Sequence, residues 1–573
     1  MMTNKLKIVS VNLTTASAPL ILLCILTIRS FTGVGLTDEI QYYYQIIGLL
    51  DNDRLFTNDL YIQQLIYLVF YPIFKPYYLL FGEVGLVLYG RAVFSTLLFL
   101  VYEFSRRQFV CAGCRKFDAG FAAVALVIVI PYHGIFAVSY NTISQMCWVL
   151  TIILVVFRLP ISVWIWSFII VVSALSHPVG GIAIAAVCAS YCLVFGQVKK
   201  LLNILLLATI IGIMTSSVII MMSGGFDAFV QALNFTRGFS VGSAIAKPTQ
   251  ITRVLIIALL LVLAMTVPAP RKFKNVAIIG NILLLLVFEY YVLQLSLNST
   301  EKHSWASSYS TTILGFWVTI CSLGLYALRC FKHDRTASRA NFYILLLLIS
   351  FQAIVLAGTS SNGVVQSVGA FAISVPIIAI FIAINSQQSR TRLLPRLLVI
   401  LVTIVSASIS VGLPYGQSPL YSSDRYLSNI PILGGLYLTN GQLDFFANVR
   451  DNIGPLVSSK EGLILGKVPA FYPILGVKPN TCMIYNHSLG SIGSRANLSK
   501  CLLNRNIHFI LNISEWGQPD DEINALMKDI ALKNNLECFS HKIVLASAQY
   551  GLPQESELKT CVEKTRANKT IGM

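Results

Sequence analysis

Charged residues are scarce in this chain. Only 12% of its 573 residues are Asp, Glu, Lys or Arg, whereas 55% are hydrophobic, and the mean hydropathy is +0.72. A water-soluble fold of this length would need far more charge to cover its surface. The shortage therefore excludes an ordinary soluble protein and predicts that a lipid bilayer is the main solvent of the chain.

Acidic residues are scarcer than basic ones, and the excess of basic residues is distributed unevenly along the chain. Residues 1–413 hold 27 basic and 12 acidic side chains, whereas residues 414–573 hold 15 and 13. Basic residues between apolar runs are typical of cytoplasmic loops and not of a groove for nucleic acid. Residues 414–573 also lack any Walker or GxGxxG sequence, so a nucleotide-binding function has no support there.

Thirteen long apolar runs predict membrane spans. With Lys5 and Lys7 inside, 19 of the 27 basic residues fall in inside loops, which supports the count and the orientation. We expect a polytopic α-helical membrane protein with a cytoplasmic N-terminus, whose first run stays as an anchor. The runs lie at about 9–28, 84–104, 119–139, 142–157, 161–176, 179–196, 201–222, 252–268, 275–296, 310–328, 341–358, 366–385 and 397–413.

Residues 61–81 are apolar enough to span but contain Pro72, Lys75 and Pro76. A crossing here would place the later basic clusters outside. We therefore predict an interfacial or re-entrant helix on the outer face, within a long first outer loop over residues 30–83.

Residues 414–573 alternate helical and extended patterns and predict a soluble extracytoplasmic α/β domain. Its four cysteines, an even number, are what an oxidising compartment favours. Of the three ways to pair them, Cys482 with Cys501 and Cys538 with Cys561 is favoured.

The first outer loop opens with an acidic pair, Asp38 and Glu39, about ten residues after the first apolar run. Tyr42, Ile46 and Leu50 continue the spacing of a short amphipathic helix. A carboxylate there could act as a general base or hold a divalent cation. The alternative is that the pair merely complements the helix macrodipole.

An acidic pair and a later Asn58-Asp59 in a long first outer loop, many further spans and an exported α/β domain resemble the GT-C superfamily of membrane glycosyltransferases. The resemblance implies a polyprenyl-phosphate-linked sugar donor, a glycan, lipid or protein acceptor, and a place in a bacterial inner membrane. It also implies Asp38 as the first-choice catalytic base, Glu39 as the second, and Asn58 and Asp59 as substrate-binding residues. Whether a metal is needed stays open.

A departing polyprenyl phosphate needs cationic or hydrogen-bonding partners. Predicted outer loops supply Arg237, Lys247, Lys302 and His303. Arg237 is preferred because a guanidinium binds phosphate bidentately. Each of the four could equally be an ordinary solvated loop residue.

Predicted outer turns supply further candidates for substrate binding. His133, Tyr140 and Asn141 are predicted at the outer turn between the third and fourth runs, and His177 at the outer turn after the fifth. A histidine beside Pro and Gly could instead cap a helix. Arg91 and Glu289 lie within apolar runs, where burial of charge is costly, and they could pair with each other.

The leading hypothesis is a glycosyltransferase acting on the outer face of the membrane. A transporter or flippase of lipid-linked glycans would need polar residues near the bilayer midplane and related halves, and the sequence offers few of the former and no convincing repeat. A non-catalytic assembly protein of the cell envelope is the third possibility.

Overall fold

The structure is a computed structural model of the chain, and the described residues between 2 and 234, called the N-terminal half below, are mostly helical. Its helices meet a small C-terminal domain that contains strands. The residues that it describes are 2–35, 38–57, 59–111, 114–128, 130–131, 135–157, 162–234, 400, 403–404, 425–457, 460–465, 469–482, 501–513, 521–544 and 555–563.

Each of the first seven predicted spans contains a helix. The predicted runs from residue 252 onward lie outside the described residues, apart from three positions near residue 400, so the count of thirteen stays a prediction. The helices of the N-terminal half are α1 (Met2–Phe31), α2 (Asp38–Asn52), α3 (Tyr67–Phe81), α4 (Leu86–Cys111), α5 (Lys116–Ile128), α6 (Tyr140–Val156), α7 (Val163–Ser176), α8 (Pro178–Val194) and α9 (Val198–Met222).

Hydropathy predicts one helix over residues 119–139, but the third apolar run does not form one. α5 ends at Ile128, shortly before Pro131, whose ring disfavours a continuing helix. Residues 135–139 are irregular but buried, and the Ser139 side chain then opens α6 by a reciprocal capping box with Thr142. An irregular buried segment in this position is tolerated where protein surrounds it.

Residues 61–81 form a short 3-10 helix, Ile62–Ile66, followed by α3. α3 has 15 residues, and at about 1.5 Å per residue it is too short to cross a hydrocarbon core of about 30 Å. Lys75 Nζ donates to Asp53 Oδ1 at 2.5 Å and to the carbonyl of Leu50 at 2.7 Å, so α3 lies beside the end of α2. These contacts agree with the prediction that this helix belongs to the first outer loop.

Large apolar side chains are exposed on several helices. Leu80 on α3 is 77% exposed, Trp164 on α7 is 70% exposed and Met221 on α9 is 74% exposed. By length and composition, two helices in the described part of the chain could cross a membrane, Leu86–Cys111 and Val198–Met222. In the apolar part of the second only 11% of residues are buried. Such a surface is unfavourable in water and suited to lipid.

The C-terminal domain is built on a mixed sheet. Its five strands lie in the order β4-β3-β5-β7-β6, with β3 parallel to β4 and β5, and β7 antiparallel to both its neighbours. A two-stranded antiparallel ribbon, β1 with β2, precedes it. The elements are β1 (Arg425–Leu427), β2 (Tyr437–Thr439), α10 (Asn440–Ile453), β3 (Glu461–Leu465), α11 (Phe471–Leu475), β4 (Lys478–Pro479), β5 (Phe509–Ile513), α12 (Asp521–Lys533), β6 (Leu536–Val544) and β7 (Glu555–Glu563).

Both favoured disulfides are present. Cys482 is bonded to Cys501, and Cys538 on β6 is bonded to Cys561 on β7. The second pair lies directly opposite in the antiparallel register, which brings the two thiols together. The predicted pairing is therefore confirmed.

Candidate active site

Helix α2 is enclosed on every side. Its residues from Glu39 to Leu50 are all buried, although Asp38 and Glu39 in its first turn are acidic. Acidic side chains at this end complement the positive end of the helix macrodipole. Because residues three or four apart share one face of a helix, the buried side chains of α2 fall into three sets that meet three different neighbours.

The first face of α2 meets α4 through an ion pair. Arg91 Nε donates to Glu39 Oε1 at 2.7 Å, and Arg91 Nη2 donates to Glu39 Oε2 at 2.9 Å. The two side chains are 1% and 2% exposed. One turn further along α2, the Tyr43 hydroxyl donates to the carbonyl of Val87 at 3.0 Å. This face is an anchor for the helix.

Arg91 also closes the end of α1. Its Nη1 donates to the carbonyl oxygens of Arg29, Ser30 and Thr32 at 3.1, 3.2 and 3.3 Å. These groups belong to the negative end of the α1 dipole and need a donor once buried. One guanidinium thus joins the last turn of α1 to the first turn of α2.

The contacts of Glu39 and Arg91 bear on two predictions. Arg91 pairs with Glu39, while Glu289, the partner suggested by the sequence, lies outside the described residues. Glu39 accepts from Arg91 with both oxygens, and its Oε2 also accepts from the backbone N–H of Gly35 at 2.8 Å. A carboxylate whose two oxygens are both occupied by donors is poorly placed to accept from a substrate hydroxyl. Glu39 therefore anchors the site.

The second face of α2 carries Asp38, Tyr42 and Gln45. Asp38 is half-buried in the first turn. Asn141 Nδ2 at the start of α6 donates to the Tyr42 hydroxyl at 3.1 Å. The rings of Tyr42 and Tyr140 meet edge to face with their centroids 5.8 Å apart. The structure thus brings together Asp38, Tyr140 and Asn141, which the sequence placed in separate loops.

The Tyr42 phenol is held in its neutral form. Burial, and then the charges of Tyr140 and Asp38, raises the pKa of Tyr42 well above its ordinary value, against the opposing hydrogen bond from Asn141. A neutral phenol can still donate a hydrogen bond. Tyr42 is therefore a candidate for orienting a hydroxyl or phosphate group beside Asp38.

Deeper on this face are two buried polar atoms without a hydrogen-bond partner among the described residues. They are the hydroxyl oxygen of Tyr67, at the start of α3, and Oε1 of Gln45. Leaving such an atom unpaired costs about 1–3 kcal/mol. Polar groups of this kind suit a bound molecule with hydroxyl groups.

Asp59 supports the second face of α2 through a hydrogen bond with Gln45. Its Oδ2 accepts from Gln45 Nε2 at 2.8 Å, its Oδ1 accepts from the backbone N–H of Tyr61 at 3.0 Å, and the side chain is 2% exposed. These contacts make Asp59 a support for α2 and argue against a direct role in binding substrate. Asn58 beside it lies outside the described residues.

His177 caps a helix, which is the alternative to substrate binding. It is the N-cap of α8, and its Nδ1 accepts from the backbone N–H of Gly180 at 3.2 Å. This arrangement supports the helix-capping reading over substrate binding. Outside the described residues lie His133 and the predicted phosphate ligands Arg237, Lys247, Lys302 and His303.

The third face of α2 meets the C-terminal domain. The rings of Tyr44 and Tyr472 lie 5.8 Å apart, and Lys478 Nζ lies 3.3 Å from Asp51 Oδ2. Asp53 pairs instead with Lys75. No group of three or more His, Cys, Asp or Glu side chains in the described ranges is arranged to hold a metal ion.

Several residues of the site were not singled out from the sequence as a group. The sequence pattern indicates Tyr42 only through its helical spacing, and it does not single out Gln45, Tyr67 or Arg29. Arg29, at the end of α1, is 2% exposed, and its guanidinium lies 5.2 Å from the ring centroid of Phe136. The spacing of 38, 42 and 45 was a signal for one helix face, but only contacts with α3 and α6 reveal which face is polar.

The fold and the site define a helical protein with a half-buried carboxylate at the start of an enclosed helix. No family model and no curated protein matches the chain. Among solved structures, it is similar to a crystal structure of ArnT from Cupriavidus metallidurans bound to undecaprenyl phosphate. The identity is 13%, the TM-score is 0.38, and the match covers 96% of this chain and 97% of that one. Function is therefore inferred below from the contacts of this chain.

Proposed function

We propose that the chain is an integral membrane glycosyltransferase, which moves a sugar from a polyprenyl-phosphate carrier to an acceptor on the extracytoplasmic face. The exposed apolar surfaces of α7, α8 and α9 support a place in the bilayer, because water would leave them unfavourably solvated. The alternative of a transporter has no specific support among the described contacts.

The proposed side of the membrane follows from the C-terminal domain. Its two disulfides favour an oxidising compartment. α2 contacts this domain directly through Tyr44 and Asp51, so the site belongs to the same side. In whole cells, a membrane-impermeant maleimide should therefore fail to label the exposed Cys111, at the far end of α4.

The observation that carries the proposal is the setting of Asp38. The neighbouring Glu39–Arg91 ion pair holds the first turn of α2 in place, which leaves Asp38 near Tyr42 and Tyr140. A carboxylate in this position can accept the proton of an acceptor hydroxyl. The acceptor oxygen then forms a bond to the anomeric carbon, the bond from that carbon to the phosphate oxygen breaks, and the polyprenyl phosphate leaves with the electron pair.

The leaving phosphate needs cationic partners. Arg237, Lys247, Lys302 and His303 remain the proposed partners, with Arg237 preferred. A divalent cation at the phosphate remains compatible with this chemistry.

The test is an Asp38→Asn variant in proteoliposomes, assayed with a panel of radiolabelled monosaccharide-phosphoryl-undecaprenols and cell-envelope acceptors. We expect transfer to fall by about 10²-fold or more, the range for loss of a general base. Asp444→Asn, at an exposed position of α10, is the matched control and should retain activity. Full transfer by the Asp38→Asn variant would refute the catalytic role, and sugar movement without a new covalent product would favour a transporter.

A further inference from the structure

The loop that follows α2, residues 53–61, has an unfavourable backbone. Asp53 has φ +51° and Phe56 has φ +61°. The left-handed region is costly for a bulky residue such as Phe, by about 1–3 kcal/mol, and persists only where the surroundings enforce it. The loop therefore needs external contacts to keep its shape.

Gln64 supplies the contacts from within the N-terminal half. Its Oε1 accepts from the backbone N–H of Phe56 at 3.1 Å. Its Nε2 donates to the carbonyl oxygens of Asp59 and Tyr61 at 2.6 and 3.0 Å. Gln64 thus holds both halves of the loop together.

The C-terminal domain supplies the contacts from outside. The backbone N–H of Leu60 donates to the carbonyl of Cys482 at 3.0 Å. Arg505 Nη2 donates to the carbonyl of Thr57, while its Nη1 donates to Asn480 Oδ1 at 3.3 Å. Its Nε lies 3.2 Å from Cys482 Sγ. One guanidinium therefore links the loop to the domain.

The Cys482–Cys501 disulfide joins the two segments that supply these contacts. Cys482 and Cys501 are bonded, and Arg505 follows Cys501 by one helical turn. Cutting the bond would release the segment that carries Arg505 from the segment that carries the Cys482 carbonyl. Both contacts from the C-terminal domain to the 53–61 loop come from these two segments.

The loop in turn supports the proposed active site. Asp59 in the loop accepts from Gln45 Nε2, and Gln45 lies on the same face of α2 as Asp38. A shift of Asp59 would change the position of this face relative to Tyr67 and Tyr140.

We propose that Arg505 and the Cys482–Cys501 disulfide are positioning elements of the site, which act from the C-terminal domain by holding the 53–61 loop against α2. This inference rests on the proposed function for its effect on transfer. Its structural part, the hold on the loop, stands independently. The domain then serves the reaction without contacting the sugar.

The structural part is tested by hydrogen exchange of peptides covering residues 54–61 in the full chain. Arg505→Ala should speed exchange at Leu60 and its neighbours roughly tenfold, since about one hydrogen bond's net contribution is lost. Arg505→Lys should have a smaller effect, because an ammonium cannot reach three acceptors in a fork. Arg450→Ala, in the last turn of α10, is the matched control.

The disulfide is tested in a Cys538→Ser/Cys561→Ser background, where Cys482–Cys501 is the one remaining bond of the domain. This background should exchange and transfer like the wild type at the loop, as the two cysteines lie on β6 and β7, across β5 from β3 and β4. Reductant should then speed exchange at Leu60 and lower sugar transfer. Because the protein is already folded when reductant is added, a failure to fold cannot imitate the result.

Unchanged exchange in both Arg505→Ala and the reduced protein would overturn the proposal. Faster exchange with wild-type transfer would overturn the positioning role. If the wild type itself transfers no sugar from any donor, the proposed function fails, while exchange still decides whether the domain holds the loop.

Discussion

Glu39 and Arg91, 52 residues apart in the sequence, form a bidentate ion pair that has almost no access to solvent and joins α2 to α4. Removing one partner would leave a buried charge alone. Glu39→Gln should therefore lower the free energy of unfolding by about 3–5 kcal/mol. Thermal unfolding in detergent measures this loss.

The control for this pair is an exposed one. Lys478→Ala removes the 3.3 Å contact with Asp51, in which the lysine side chain is 56% exposed. The cost should be no more than about 1 kcal/mol. Equal losses for the two variants would contradict the anchoring role of Glu39.

A second prediction concerns close packing of α2 against α4. A Cβ added at Gly90 would lie 2.5 Å from the Tyr43 hydroxyl oxygen and 2.6 Å from its Cε1. Gly90→Ala should thus destabilise the protein by about 1–3 kcal/mol through overpacking. Gly212→Ala in α9 has no atom within 4 Å of the new Cβ, and should be neutral or stabilising by about 0.5–1 kcal/mol. The same loss at both positions would show that the Tyr43 contact is not the cause.

The third prediction separates activity from stability. Tyr42→Phe removes the hydroxyl that Asn141 contacts, and leaves the ring packed against Tyr140. Stability should fall by only about 1 kcal/mol, the net value of one hydrogen bond. Sugar transfer should fall well beyond that of Tyr44→Phe, which changes the face toward Tyr472. Parallel kinetic assays would show equal effects if Tyr42 had no role at the site.

A fourth prediction concerns pH. Burial raises the pKa of Glu83, in the turn between α3 and α4, with Asp51 acting in the same direction and Lys478 against it. Because the folded state favours the protonated carboxyl, stability is lost as pH rises from the ordinary glutamate pKa through the raised value. Glu83→Gln should therefore raise Tm at neutral pH, and the gain should vanish in acid.

The pKa of Asp53 is shifted in the opposite direction to that of Glu83. A hydrogen bond from Lys75, and then one from Tyr71, lowers the pKa of Asp53. Its contribution is present above the ordinary aspartate pKa and is lost as pH falls through the lowered value. Asp53→Asn should slightly lower Tm at neutral pH, as expected for an exposed pair. A change in Tm of the same sign for the Glu83 and Asp53 variants at neutral pH would contradict the two pKa shifts.

Much of the fold could be read from local patterns. Hydropathy located a helix in each of the first seven apolar runs, and the basic residues of the later loops argued against an ordinary span at residues 61–81, which contain a helix of only 15 residues. The cysteine order correctly favoured the observed pairs. These features depend on residues near one another in sequence, so the sequence of one segment is enough to predict the element that it forms. The third run misled because hydropathy does not reveal a helix end inside a buried segment.

The site depended on contacts between distant segments. The sequence by itself determined that Asp38 and Glu39 open a helix, but identical spacing is compatible with either carboxylate as the base. Only the tertiary structure distinguishes their surroundings, because it places Arg91 against Glu39 and places Tyr42 and Tyr140 near Asp38. The proposal of Asp38 as the base rests on that difference. Two adjacent helical residues point about 100° apart, so their environments, and hence their chemistry, are determined by what packs on each side.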